Sequence, residues 1–176
     1  MNLHAESDSS RKITLEFNIG ISSNIDSSVK HFDRTGLAYS GRIMWEPEHL
    51  LRIGIYSASI NIARYKQNNV KTQYGITNVD NSLGVYPIIL VFNMKIWVID
   101  LYSGIGPAYL WSSITAFNET STSYEWDYAI SASIAYKYKI KKHLYLNSEL
   151  EYLALPEIFK NIYKLSVGIK YDLYEW

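Results

Sequence analysis

The chain has 176 residues, a length typical of one domain, and 17 Lys+Arg against 17 Asp+Glu give it a net charge of zero. This balance offers no broad basic field for nucleic acid, and the absence of cysteine excludes disulfides, thiolate metal sites and a cysteine nucleophile. The compositional outliers are 16 tyrosines and five tryptophans, residues that favour β-strands and water–lipid boundaries.

Residues 1–12 form a polar segment that lacks the apolar core of a secretory signal. We predict a flexible N-terminal leader here, and we expect that a signal peptide preceded it and was removed. The first strand is predicted from Ile13 to Ser22, where apolar and polar residues alternate with the period of a strand. A polar connection over residues 23–35 then leads to a second strand from about Leu37 to Trp45.

The third strand is predicted from about Leu51 to Arg64, after a tight reversal around Pro47. Its apolar residues move from odd to even positions at Ile60 and Ile62. We therefore expect a bulge there that returns the apolar side chains to the same face of the strand. Residues 65–83 are polar and are interpreted as a second long loop.

The fourth strand is predicted from Val85 to Lys95, and the fifth continues to about Trp111. A membrane helix over residues 85–102 is disfavoured, because Lys and Asp near a helix centre each cost about 2.5 to 3.5 kcal/mol. Both the odd and the even positions of this segment carry apolar residues, so the sequence does not decide which of them face outward. Residues 112–123 are interpreted as a third long loop.

The sixth strand, Tyr124 to Ile140, has the clearest alternation in the chain. Its even positions are all apolar or aromatic, with the aromatics at the two ends, and its odd positions are small or charged. Such a face fits lipid hydrocarbon between two aromatic belts, and the segment exceeds the roughly 9 to 11 tilted residues that cross a bilayer.

A turn at residues 141–143 precedes a seventh strand beginning at Leu144, and a moderate connection, residues 155–161, precedes an eighth from Tyr163. The connections alternate long and short, as they do in barrels with loops on one rim and turns on the other. The predicted fold is therefore all-β: an eight-stranded antiparallel up-and-down transmembrane β-barrel with long loops on one rim and short turns on the other. One domain, residues 13–176, contains it.

In this fold the apolar stripes face lipid and the polar stripes fill the interior. The residues predicted to face lipid are Phe17, Ile19, Ile43, Trp45, Trp126, Tyr128, Ile130, Ile134, Tyr136, Leu165, Val167 and Ile169. The predicted interior charge network comprises Glu16, Arg42, Arg52, Asp127, Lys137, Glu149, Glu151 and Lys170, to which Lys139 and Asp172 contribute further charges.

Buried charges persist only when they are paired, and the interior of an eight-stranded barrel is just wide enough for side chains to fill. We therefore predict no open pore. A soluble lipocalin-like carrier with the apolar stripe inside fits the alternation equally well and remains the alternative. The numerous tyrosines at strand ends favour the membrane barrel.

The chain resembles the small outer-membrane β-barrels of the OmpA and OmpX type. The resemblance spans Ile13 to Trp176, and its most suggestive stretches are residues 41–51, GRIMWEPEHLL, and residues 87–95, PIILVFNMK. It implies a porin-like fold and a place in the outer membrane of a Gram-negative bacterium. Relatives end on an aromatic residue in phase with the lipid-facing side chains. Here Trp176 is out of phase, so either that signal is displaced or the last strand has a bulge near Tyr174.

The histidines are candidates for chemistry, but His4, His49 and His143 lie in the predicted leader and turns. His31 lies beside Asp33 in the first long loop, and Asp80 and Ser82 lie in the second. This set resembles palmitoyltransferase barrels that modify lipid A, so an acyltransferase-like enzyme is a second alternative. That activity needs an apolar interior slot, whereas the predicted interior is charged.

The pair Glu149 and Glu151 is interpreted as two partners of interior cations, and no phosphate loop, metal-spaced histidine set or nucleophile elbow occurs. We predict no catalytic residue, metal or cofactor. The expected function is structural or binding, through extracellular loops or lateral contact with a membrane partner. The expected partners are the lipid bilayer with its lipopolysaccharide and a second outer-membrane protein, but no nucleic acid.

Overall fold

The computed structural model describes residues 11–24, 35–47, 51–73, 75–117, 119–156 and 160–175. It contains eight strands, which are β1 (Lys12–Asn24), β2 (Thr35–Glu46), β3 (Leu51–Thr72), β4 (Gly75–Ile96), β5 (Ile99–Ala116), β6 (Glu119–Lys141), β7 (Leu144–Leu155) and β8 (Lys160–Glu175). Among the described residues there is no helix long and apolar enough to cross a membrane.

The strands form a closed barrel in sequence order, and every neighbouring pair is antiparallel. The ring closes between β1 and β8, where Phe17 pairs with Ile169. The predicted fold is therefore confirmed. We call the rim with the β2–β3, β4–β5 and β6–β7 connections the turn rim, and the opposite rim the loop rim.

The prediction of long loops is wrong for two of the three segments. Residues 65–83 and 112–123 are mostly strand, because β3 pairs with β4 as far as Thr72 and Gly75, and β5 pairs with β6 as far as Ala116 and Glu119. These hairpins extend beyond the last paired residues of β2 and β7, and we call residues 63–72, 75–83, 111–116 and 119–126 the projecting sheet. Its strands were mistaken for loops because polar residues occupy both of their faces.

Both predicted irregularities occur, but one acts differently from the prediction. The β3–β4 register shifts between Asn61 and Ala63, yet Ile60 and Ile62 both face the interior and are buried. The bulge therefore adds an inward apolar residue and does not turn these isoleucines toward lipid. In β8 the register against β1 shifts between Asp172 and Tyr174, whereas Trp176 lies outside the described residues.

The closing seam is tight at Gly168, where the strand backbones approach closely. A Cβ added to Gly168 would lie 1.9 Å from the carbonyl oxygen of Phe17 and 2.1 Å from the Oδ1 atom of Asn18. Since real Cβ atoms do not approach other atoms this closely, β1 and β8 can pair here only because residue 168 has no side chain.

Candidate functional site

The middle of the lumen is organised around Arg42 on β2. Its guanidinium donates to the Oε2 atom of Glu16 at 2.8 Å and to the Oε1 atom of Glu149 at 2.6 Å, and all three side chains are buried. The Cζ atom of Arg42 also lies 3.9 Å from the centroid of the Tyr102 ring, a cation–π distance. One cation thus joins β1, β2, β5 and β7 across the lumen.

Toward the turn rim, a second group of charges shares its partners. Lys137 contacts Glu16 at 2.7 Å and Asp100 at 2.9 Å, and Arg52 contacts Glu46 at 3.1 Å and Asp100 at 3.5 Å. Lys170 completes the group with an ion pair to Glu46. Each of these acids has more than one cationic partner, which is the condition under which charges persist in a protein interior.

Toward the loop rim, the network ends with Lys164 on β8. This ammonium pairs with Glu151 and also donates to the hydroxyl of Tyr56 at 2.8 Å and to that of Ser40 at 3.0 Å. The Tyr56 hydroxyl in turn donates to Glu151 at 2.7 Å. All four side chains are buried, so this group closes the polar part of the lumen.

Above Lys164, toward the loop rim, the lumen is mainly apolar. Buried residues from six strands fill this level: Ala38, Ile60, Ile62, Val85, Ala108, Leu110, Leu153, Leu155 and Ile162. The described lumen thus contains an ionic network followed by a mainly apolar layer, in which Asn24 and Asp127 are buried polar side chains.

The eight residues of the predicted charge network all have inward-facing positions, but the structure pairs only seven of them. Asp127 is 7% exposed and accepts a hydrogen bond from the backbone N–H of Tyr128 at 2.6 Å, while its Oδ2 atom has no hydrogen-bond partner among the described residues. It lies at the apolar level, since its neighbour on β5 is Ala108. Of the two further charges, Asp172 contacts Lys12 at 3.6 Å and Lys139 is exposed at the turn rim.

Sequence reasoning missed three charged members of the network. Glu46 was included in the tight reversal around Pro47, and Asp100 and Lys164, near the starts of the fifth and eighth strands, were left out of the predicted network. Their inward parity, shared with Arg42, Tyr102 and Ser166, is the signal that would have found them.

The outer wall has the opposite chemistry. The twelve residues predicted to face lipid are all on this wall and are 41–63% exposed. The strands β4 and β5, whose facing was open, also present apolar residues outward, at Tyr86, Ile88, Leu90, Phe92 and Ile105. A soluble carrier would have its apolar side chains inside and its charges in water, so the lipocalin-like alternative is contradicted by this arrangement.

Aromatic residues bound the apolar band on both sides. Near the loop rim Tyr109 stacks on Tyr124, with ring centroids 5.5 Å apart, and contacts Trp126 at 5.1 Å. Near the turn rim β6 exposes Tyr136 and Tyr138. The ten-residue separation of Tyr128 and Tyr138 corresponds to about 33 Å along the strand, and to about 25 Å along the barrel axis at a tilt of about 40°.

The projecting sheet leaves two strand edges open. Residues 63–72 of β3 pair only with β4 among the described residues, and the second open edge lies on β6. The β6–β7 pairing begins at Ile130 and Ala154, so residues 119–129 of β6 have a strand neighbour only on the β5 side among the described residues. This edge is about 36 Å long at the usual rise of a strand.

The residues considered for lipid A chemistry do not come together in the described part of the chain. Asp80 and Ser82 lie on β4 and face outward, so the barrel wall separates them from the apolar layer of the lumen. His4, His31, Asp33 and His49 lie outside the described residues. His143 is at the turn rim, 3.9 Å from Glu175. No group of three or more metal-ligating side chains occurs among the residues that the structure describes.

A closed ring of eight antiparallel strands, ionic inside and apolar outside, has the fold of the small outer-membrane β-barrels. Three solved structures show the similarity. A major outer membrane protein from Thermus thermophilus has a TM-score of 0.60 at 9% identity, with coverage of 94% of this chain and 99% of that one. Neisserial surface protein A has a TM-score of 0.57 at 13% identity, covering 93% and 99%.

Ail, the attachment invasion locus protein of Yersinia pestis, solved in complex with the heparin analogue sucrose octasulfate, has a TM-score of 0.56 at 12% identity, covering 92% and 97%. No family model matches the chain, and no curated protein is significantly similar to its sequence. At these identities the comparisons define the fold.

Proposed function

We propose that this protein is an integral protein of the bacterial outer membrane, with a closed lumen and no enzymatic activity, which binds a partner protein through the open edge of β6. Three features support this proposal in turn: the outer wall, the lumen and the projecting sheet.

The outer wall supports the membrane location. Its apolar band is about as tall as the roughly 25 Å band of outer-membrane barrels and is flanked by aromatic residues on both sides. An exposed apolar surface of this extent is unfavourable in water. Its natural surroundings are acyl chains, including those of lipopolysaccharide.

The lumen supports a role without transport. The ion pair of Arg42 with Glu149 and the hydrogen bond from Lys164 to Tyr56 each join non-adjacent strands across the lumen, and the apolar layer covers them on the loop side. Moving an ion past these groups would require breaking buried charge pairs, each of which costs several kcal/mol to break.

The open edge of β6 is the observation that carries the binding role. An unpaired strand edge presents a row of N–H and C=O groups that another extended segment can complete, and proteins whose edges serve no partner usually cover or shorten them. This edge begins outside the apolar band, and its residues 120–123 are small Ser and Thr side chains, which allow a strand to approach closely. The open edge of β3 instead carries Arg64, Lys66 and Lys71, and charged side chains of this kind discourage strand pairing.

Membrane insertion is tested by folding the chain into phospholipid vesicles and comparing its gel mobility before and after boiling. We expect two distinct bands for the folded and boiled samples, and single-channel recording should show no steady conductance. Identical bands would refute the membrane location, and a stable open conductance would refute the closed lumen.

The open edge is tested by amide hydrogen exchange of the folded protein. Along residues 119–127, amides directed toward β5 should exchange slowly and the alternating amides should exchange fast, since only one side of the strand is paired. The matched control is residues 130–136 of the same strand, which pair on both sides and should be protected throughout. Uniform protection along residues 119–127 would show that the edge is already covered.

A further inference from the structure

The outer wall has a cleft of about 510 Å³ at the base of the projecting sheet. It crosses β2 to β5, and its lining includes Asn61, Arg64, Asp80, Ser82, Trp111 and Ser113. These side chains combine a guanidinium, a carboxylate, an amide, hydroxyls and an indole. This composition differs from the apolar band below it, where a lipid-facing surface needs no polar groups.

Trp111 forms one wall of the cleft. It pairs with Gly84, and a Cβ at residue 84 would lie 2.5 Å from the indole nitrogen, so the indole occupies the space that a side chain would fill. The ring therefore packs directly against the β4 backbone. A tryptophan in this position offers an apolar surface on which a sugar ring can stack, with hydrogen-bonding groups beside it.

The charged part of the cleft is formed by Arg64 and Asp80. The Nη2 atom of Arg64 donates to the Oδ2 atom of Asp80 at 3.0 Å, while 67% of the Arg64 side chain remains exposed. The hydrogen bond from Arg64 holds the pKa of Asp80 below its usual range, so that both groups are charged at neutral pH. Exposed pairs of this kind add little stability, and a guanidinium has further N–H donors in the geometry that suits a phosphate.

The position of the cleft decides what can reach it. It lies immediately beyond the aromatic residues of the loop rim, since Trp111 and Tyr109 are separated by one residue on β5 and Tyr109 stacks on Tyr124. The exposed Leu37 of β2 lines the cleft and continues its surface toward the apolar band. In a membrane this is the level of lipid headgroups, directly above acyl chains.

We infer that this cleft binds the phosphorylated sugar headgroup of a membrane-anchored glycolipid. Arg64 contacts the phosphate, Trp111 packs against the sugar, and Asn61, Ser82 and Ser113 hydrogen-bond its hydroxyls. The acyl chains of the same molecule lie on the apolar band beside Leu37. The inference rests on the proposed membrane location, because only an inserted barrel places the cleft at this level.

The test uses the folded full-length chain in phosphatidylcholine nanodiscs, with 5-fluorotryptophan in place of tryptophan. Lipid A, a bis-phosphorylated and acylated disaccharide, is the probe, and its affinity is read from the fluorine signal of residue 111, which is assigned with Trp111→Phe. Two further arms use dephosphorylated lipid A and the water-soluble phosphorylated disaccharide without acyl chains. The second arm distinguishes a membrane-anchored source from a free sugar phosphate.

The decisive variant replaces Arg64→Gln and Asp80→Asn together, which removes the guanidinium and leaves the net charge unchanged. The matched control, Lys71→Gln, removes an exposed cation near the tip of the same hairpin. We expect the double variant to bind lipid A about tenfold more weakly, since one hydrogen bond to a charged group is worth roughly that factor, and the control to bind as the wild type does. Both altered probes should also bind at least tenfold more weakly than intact lipid A.

Unchanged affinity in the double variant would overturn the site, and equal affinity for the soluble disaccharide would overturn the membrane-anchored ligand. If the chain shows no heat-modifiable band and does not enter nanodiscs, the proposed membrane location fails and this inference fails with it. A chain that inserts normally but binds lipid A equally in every variant leaves the membrane location intact and refutes only the cleft.

Discussion

Replacing Arg42→Met tests whether the ion network stabilises the barrel. The substitution removes the guanidinium from between Glu16 and Glu149 while roughly preserving the volume of the side chain. Breaking a buried ion pair costs about 3–5 kcal/mol, because the partner charge stays in the interior without compensation. Glu16 keeps Lys137 at 2.7 Å and Glu149 keeps the Ser133 hydroxyl at 2.5 Å, which favours the lower end of this range. We expect a loss of about 3 kcal/mol.

The assay is reversible urea unfolding in phospholipid vesicles, followed by tryptophan fluorescence, with the free energy of unfolding obtained by linear extrapolation. The second variant, Arg42→Met with Glu149→Gln, also removes one of the two carboxylates that lose their cation. It should recover about 1–2 kcal/mol of the lost stability, a typical coupling energy between contacting residues. Lys71→Met, an exposed change in the projecting sheet, is the control and should leave the midpoint unchanged. An Arg42→Met barrel as stable as the wild type, or a double variant less stable than the single one, would refute the reasoning.

Two further substitutions test the outer wall and the closing seam. Ile134→Arg places a charge near the middle of the apolar band and should destabilise the barrel by about 2–4 kcal/mol. The control, Ile114→Arg in the projecting sheet, should leave the urea midpoint unchanged. Equal effects of the two substitutions would argue against lipid contact at Ile134. Gly168→Ala would bring a Cβ to 1.9 Å from the Phe17 carbonyl oxygen and should abolish the heat-modifiable band, whereas Gly41→Ala, whose Cβ would meet nothing closer than 3.7 Å, should keep it. A normally folded Gly168→Ala barrel would show that the seam can open enough to accept a side chain.

Period-two alternation predicted the barrel well wherever one face meets lipid and the other meets charges. In β6 the sequence alone assigned Ile130 and Ile134 to the outer wall and Ser133 to the interior, and the structure agrees. The reason is physical, because a strand with two different environments must separate its side chains by parity.

The same rule fails where both environments are alike. Beyond the membrane both faces of a strand meet water, so β3 and β4 continue through residues 65–83 without an alternation to reveal them. At the apolar layer of the lumen, the inner and the outer face of a strand both carry apolar residues. The alternation therefore predicted that Ile60 and Ile62 face lipid. Which face of β3 points inward at this level depends on the side chains that it packs against in the lumen. These belong to neighbouring strands, for example Val85 and Leu110, and cannot be identified from the sequence of β3 alone.

The unequal lengths of the strands have a consequence for how the barrel reaches its final position. Four consecutive strands continue well past the bilayer, and their outer parts carry the charged residues Lys66, Lys71 and Glu119. If assembly starts from the side of the turn rim, these polar ends must be translocated through hydrocarbon, where unpaired backbone groups cost several kcal/mol each. Hairpins that cross with their backbone hydrogen bonds already made avoid most of this cost, so β3–β4 and β5–β6 are expected to pass as preformed pairs and to set the rate of insertion.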